Sequence, residues 1–124
     1  MNVEISNQKE LDGKLNSNLY DYLIVSDKDI TLFPEFAQEF ESVAQEYNPD
    51  IIHCDFIINN KYKEKIYGKT LIFSEMKSFP EYLKYAAIKS NVYKKYGGEI
   101  KNILRPPNNL LVWHVPKVLF AVEE

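Results

Sequence analysis

The chain has one cysteine, Cys54, one arginine, Arg105, and one tryptophan, Trp113, among 124 residues. A lone cysteine excludes an internal disulfide and any zinc site built from several thiolates. Lysine outnumbers arginine fourteen to one, yet the formal net charge is −3, so the basic footprint that holds nucleic acid is missing. No apolar run approaches the roughly 20 residues that a membrane-spanning helix needs. The opening Met1-Asn2-Val3-Glu4-Ile5-Ser6 has none of the apolar stretch of a secretory signal. These absences set the expectation of a cytoplasmic protein, the inner face of the membrane included, with no nucleic-acid partner and no membrane span. The length is that of one domain.

What is present is apolar and aromatic. Hydrophobic residues make up 45% of the chain, enough for a packed core, and nine tyrosines and seven phenylalanines join Trp113. Such rings supply large buried areas, and some of them could form a sugar-stacking or interface surface.

The stretch from Tyr20 to Pro34 organises the rest. Tyr20, Tyr22, Leu23, Ile24 and Val25 are strand formers, and they predict a strand over 20–26 at the centre of the sheet. At Ser26 the apolar run stops and two acids follow, Asp27 and Asp29, separated by Lys28. Ligands in α/β sheets bind beyond the carboxyl ends of strands. Two carboxylates there suit a divalent cation shared with phosphates. Taken alone, the pair equally reads as a solvated acidic turn.

From Pro34 the period changes. Phe36, Ala37, Phe40, Val43, Ala44 and Tyr47 recur at spacings of three and four, which predicts a helix over 34–47 stopped by Asn48-Pro49. Residues 50–58 are short, apolar and β-branched and read as a buried strand, followed by an Asn59-Asn60 turn and one or two edge strands within 61–73. His53 and Cys54 are neighbours in that strand. They point to opposite faces and cannot chelate one ion together, so core roles are expected. Residues 74–83 read as a loop or short helix. Lys84 to Lys89 reads as a strand, Ser90 as the N-cap of a helix over 91–96, and Gly97-Gly98 as its close. Upstream, Leu11, Leu15 and Leu19 are spaced as one helical face, interrupted by Gly13. The expected core includes Leu23, Ile24, Val25, Phe36, Phe40, Val43, Ile52 and Ile88.

Three segments resemble the family 2 glycosyltransferases, which have the GT-A fold. The first is Leu23-Ile24-Val25-Ser26-Asp27-Lys28-Asp29-Ile30-Thr31-Leu32-Phe33-Pro34, similar to the family's strand, D-x-D motif and Leu-x-Pro step into a helix. The second is Ala86-Ala87-Ile88-Lys89-Ser90-Asn91 through Tyr96-Gly97-Gly98, similar to its strand of small residues, basic residue, short helix and Gly-Gly. The third is Leu111-Val112-Trp113-His114-Val115-Pro116-Lys117-Val118-Leu119-Phe120, similar to its His-Ile-Pro turn between strands. Together they cover roughly residues 20–120 in the family's order.

The resemblance implies an α/β fold, a partial GT-A-like, Rossmann-like mixed sheet with helices packed on it. It makes residues 1–124 a single domain similar to the acceptor-side half of such an enzyme. The implied activity is inverting transfer of a sugar from a nucleotide-sugar donor to a glycan or cell-surface acceptor. Asp29 would be the direct ligand of a weakly held manganese or magnesium ion and Asp27 its helper, and the pair would bind the donor diphosphate. Some GT-A enzymes use a C-terminal histidine as a metal ligand, the place of His114, although in the family 2 pattern it is usually structural.

Two departures stand out. The family carries a nucleotide-binding half before the D-x-D strand, whereas 26 residues precede Asp27 here. It also usually places an acidic pair after Gly-Gly as the catalytic base, whereas here Glu99 alone is available and sits too close to the glycines. Three readings follow: a fragment of an active enzyme, a degenerate relative that binds a glycan or protein, or a structural domain of unrelated function. The departures favour the second for the isolated chain. A sheet without its usual cover would also associate, so a homo-oligomer with aromatic contacts is expected.

Overall fold

A computed structural model describes residues 3–59, 64–68, 71–72, 83–97 and 110–123. Strand β1 (Val3–Ser6), helix α1 (Leu11–Ser17) and strand β2 (Tyr22–Val25) form a β-α-β unit, with β1 and β2 parallel. Leu11 and Leu15 are buried, but Leu19 is exposed. The helix ends before it, at Asn18, whose positive φ of 57° closes the last turn.

Strand β3 (Asp29–Leu32) precedes helix α2 (Phe36–Tyr47), and strand β4 (Ile51–Asn59) follows. Helix α2 buries Phe36 and Phe40, four residues apart, and half-buries Val43 and Ala44 along the same stripe. It stops at Asn48, which turns left-handed (φ 46°) and donates its N–H to the Ala44 carbonyl at 3.0 Å before Pro49 bars any further turn. Two short strands come next, β5 (Glu64–Ile66) and β6 (Leu71–Ile72), inside the region expected to hold edge strands. Strand β7 (Ala87–Lys89), helix α3 (Ser90–Lys95) and strand β8 (Leu111–Glu123) complete the described elements.

Eight strands among the described residues form one mixed sheet in the order β1-β2-β7-β4-β8-β3, with β5 also on β4 and β6 also on β8. Its spine is the parallel pair β4 and β8. Along β4 the outer partner is first β7, at Ile51 and Ile52, and then β5, at Phe56 to Ile58. Along β8 it is first β6, at Leu111 and Val112, and then β3, at Phe120 to Glu123. Side chains alternate between two cores. Tyr22, Ile24, Ile52, Cys54, Phe56, Ala87, Val115 and Phe120 face α2 with its Phe36 and Phe40. Leu23, Ile51, Ile88 and Val112 face Leu11 and Leu15 of α1 and Val92 and Tyr93 of α3. The chain is therefore mixed α/β, with helices on both sides of a sheet.

Several expectations need correction. Strand β2 is interior but second from the edge, because nine-residue β4 and thirteen-residue β8 have far more apolar length to bury. Val25 and Val43 are half-buried, not core. Ser90 is not a cap: it is the first residue of α3, and its hydroxyl donates to the Tyr20 carbonyl at 2.6 Å, fastening α3 to the start of β2. Gly97 does adopt the positive φ expected of a helix stop, at 72°. The tail does not turn at Pro116. Strand β8 continues through it as a bulge, where Cys54 pairs with Val115 but Asp55 with Val118, so the missing proline N–H leaves no gap in the ladder. Glu99, Gly98 and almost all of 74–83 lie outside the described residues.

Candidate functional site

The acidic stretch is built around Ser26. This residue is buried, and its N–H donates to the Ser6 carbonyl at 2.8 Å, prolonging the β1–β2 pairing by one residue. Its hydroxyl donates to the Lys28 carbonyl at 2.7 Å and accepts the Lys28 N–H at 3.0 Å. One side chain thus closes the turn that carries the acids. Asp27, Lys28 and Asp29 are all exposed.

Asp27 lies beyond the carboxyl end of β2, as expected of a ligand-facing acid. Asp29 does not share that position. It opens β3, a strand the sequence did not announce, and stands directly opposite Glu123 of β8. Like charges opposite one another in an antiparallel pair repel. Glu123 is held there by neutral donors: the Asn59 amide at 2.9 Å and the Thr31 hydroxyl at 3.4 Å, both to Oε1. Glu123 went unnoticed in the sequence because it lies 94 positions from Asp29 and only the β3–β8 register joins them. Among the described residues no three of the His, Cys, Asp and Glu side chains gather as a metal-holding group.

A second polar cluster lies inside the sheet. His53 and His114 are register partners on β4 and β8, and their rings stack at 4.9 Å with a 24° tilt. His114 Nε2 meets Asp55 Oδ1 at 2.7 Å, and the same oxygen accepts the Gly68 N–H at 3.0 Å. His114 is thus engaged by Asp55. Cys54 points to the other face, into the core under α2, as alternation along the strand requires. Burial pushes its thiol up to about 12; the neighbouring Asp55 adds to the rise, and a backbone hydrogen bond involving Leu119 opposes it.

The described cavity is elsewhere. It opens at the amino end of β2, around Tyr20, Asp21 and Tyr22, so the strand separates it from the acids. At about 3.3 Å per residue, the four residues of β2 alone put roughly 10 Å between them.

No family model matches the chain, and no curated protein matches it.

Proposed function

We propose that the chain is a glycosyltransferase-like module of the family 2 type, related to enzymes that move a sugar from a nucleotide-sugar to a glycan acceptor. In this reading the Asp27–Asp29 turn is its cation-binding edge. The observation that carries it is the acid pair itself: two exposed carboxylates on a turn closed by Ser26 past the end of a buried strand, with Glu123 facing Asp29 across the ladder. A cation held at this turn would be bound by one or two of these carboxylates and would in turn attract a diphosphate. In a working enzyme that ion would stabilise the charge developing on the leaving diphosphate, and a carboxylate, Glu99 being the acid available after the glycines, would take the acceptor proton.

Calorimetry with manganese, then with manganese plus a nucleotide-sugar, tests this. The expected result is weak manganese binding that tightens when the nucleotide-sugar is present and disappears in Asp29→Asn. Manganese binding indifferent to that substitution would remove the reading.

A second reading, a non-catalytic module that binds glycan or protein, is favoured by one aromatic pair in which Tyr47 is exposed and Trp113 half-buried. Tyr47 at the end of α2 stacks on Trp113 of β8 at 3.9 Å with a 17° tilt, while 44% of Tyr47 remains in solvent. Flat aromatic surface of this kind suits the apolar face of a sugar ring. Glycan binding by the isolated chain, lost in Tyr47→Ala and independent of manganese, would favour it.

A further inference from the structure

We propose that the cavity at the amino end of β2 is a binding site for a neutral polyhydroxylated ligand, a hexose unit either free or at the end of a glycan. The cavity has a volume of about 420 Å³, within the range of small-molecule sites. It is assembled from five elements, α1, β2, α2, β7 and α3, and three features of it point to this ligand.

The first is the balance of charge. Lys89 and Lys94 bring two ammonium groups to the wall and Asp21 one carboxylate. Two helices also end there: α1 closes at Asn18 and α2 at Asn48, both lining residues. Helix carboxyl ends carry partial negative charge. The lysines are directed to those ends. Lys89 Nζ donates to the Asn48 carbonyl at 3.2 Å, and Lys94 Nζ donates to the Asn18 side-chain oxygen. Two positive charges therefore face one carboxylate and two negative helix ends. A bare anion would meet Asp21 and the helix ends, and a bare cation would meet both lysines. A neutral ligand meets neither penalty.

The second feature is the mixture of donors and acceptors. An ammonium offers three protons, and the bond described for each lysine uses one. Gln45, Asn48 and Asn91 add amides that both donate and accept, with one Gln45 proton given to Glu41 at 3.2 Å, and Asp21 adds a carboxylate. A sugar hydroxyl also both donates and accepts, so adjacent hydroxyls match a wall that mixes the two. Phosphate would leave its acceptors unmatched.

The third is rigidity. The cavity floor is tied by hydrogen bonds that do not need a ligand. The Ser90 hydroxyl holds the Tyr20 carbonyl at 2.6 Å, the Ser90 N–H holds the Asp21 carbonyl at 2.9 Å, and the buried Tyr22 hydroxyl donates to the Pro49 carbonyl at 2.6 Å. A wall fixed in advance loses little entropy on binding.

The test is an amide chemical-shift titration of the full chain with methyl glucoside, methyl galactoside, methyl mannoside and, separately, inorganic phosphate. The proposal expects at least one methyl hexoside to move the Asp21, Asn48 and Asn91 amides saturably at millimolar concentration, with phosphate leaving them in place. Asp21→Asn and Asn91→Ala alter exposed side chains. Each should weaken that binding at least tenfold while the rest of the spectrum is unchanged. Saturable shifts with phosphate and none with the hexosides would overturn the proposal in favour of an anion site. Silence from all four probes would overturn it outright. No metal is present in any arm, so the outcome is independent of what Asp27 and Asp29 do.

Discussion

His114 and Asp55 meet at 2.7 Å although they are not register partners. His114 pairs with His53, and Asp55 pairs with Val118, because β8 slips past β4 at Pro116 and Lys117. Regular pairing would have set Pro116 against Asp55. The bulge removes it, and the imidazole leans along the strand to the carboxylate. Asp55 Oδ1 also holds the Gly68 N–H, so one oxygen ties β4 to β8 and to the residues after β5. Asp55→Ala is expected to destabilise the fold by about 1–3 kcal/mol, since it removes the buried carboxylate that the half-buried His114 ring and Gly68 N–H bond to. Urea unfolding measures this, and the Gly68 amide resonance should shift in the same variant. A Gly68 amide that stays put would mean the tie is absent in solution.

Helix α2 is held by Phe40, which is fully buried and stacks on Phe36 at 4.2 Å. Phe36 in turn meets Phe120 of β8 edge-on at 6.3 Å. Phe40→Ala should cost about 3–5 kcal/mol, combining lost transfer energy with the cavity left behind. Thermal unfolding reads the loss. Ala37→Ser, on the exposed face of the same helix, should change stability by less than about 1 kcal/mol.

This helix was also the most legible part of the sequence, because its apolar spacing and the Asn48-Pro49 stop are local signals. Strands β4 and β7 and the stop at Gly97 were legible for the same reason. Strands β1 and β3 were not. Each has four residues, and Ile30-Thr31-Leu32 becomes a strand only because the end of β8 lies beside it. The sheet's centre was misplaced because a strand's rank depends on the length of its partners. Of the candidate site, Asp27 and Asp29 were visible as a motif, but Glu123 enters through register alone. Asp21 carries no motif, and the segment that holds Lys89 and Lys94 gave no sign of a cavity, since the space they share is created by where two helices end.

Cys54 gives a pH dependence with a definite sign. Its thiol titrates near 9 in an unfolded chain and is pushed up to about 12 in the fold, chiefly by burial. A raised folded value favours the protonated form, so the contribution to stability is complete below pH 9 and is lost as pH rises from there toward 12. The slope is about 1.4 kcal/mol per pH unit. Buried Tyr22 and Tyr93, also raised mainly by burial, steepen the loss above pH 10, their ordinary value. Cys54→Ala should flatten the curve between pH 9 and 10 while lowering stability at pH 7. Denaturant melts at half-unit pH steps decide it, and an unchanged slope would assign the loss elsewhere.

Strand β3 ends the main path of the sheet among the described residues, and Leu32 on it is 44% exposed. Among the described residues no strand pairs with its outer side, and an edge that carries an apolar side chain is open to a second chain. We expect concentration-dependent self-association of the chain, weakened by Leu32→Lys, which places a charge on that edge. Sedimentation velocity across a hundredfold concentration range shows it. A single monomer boundary throughout would show that Asp29 and Glu123 already guard the edge by repulsion.

Asp29 opposite Glu123 is a standing repulsion, and it makes an expectation that separates a cation site from an acidic turn. Without a divalent ion, Asp29→Asn should stabilise the fold by roughly 0.2–1 kcal/mol, because like charges directly opposite in an antiparallel pair are unfavourable by about that much. With a bound ion the order reverses. An ion at ten times its dissociation constant adds about 1.4 kcal/mol to the form that binds it and nothing to the form that does not. Wild type should therefore overtake Asp29→Asn as manganese is added. The crossing concentration gives the affinity. Asp27→Asn should shift that crossing without producing the metal-free gain, since Asp27 has no register partner on β8. Melting both variants and wild type against a manganese series, with potassium chloride matching ionic strength, provides the measurement. Parallel curves that never cross would leave Asp29 as a charge the fold tolerates, with no ion to justify it.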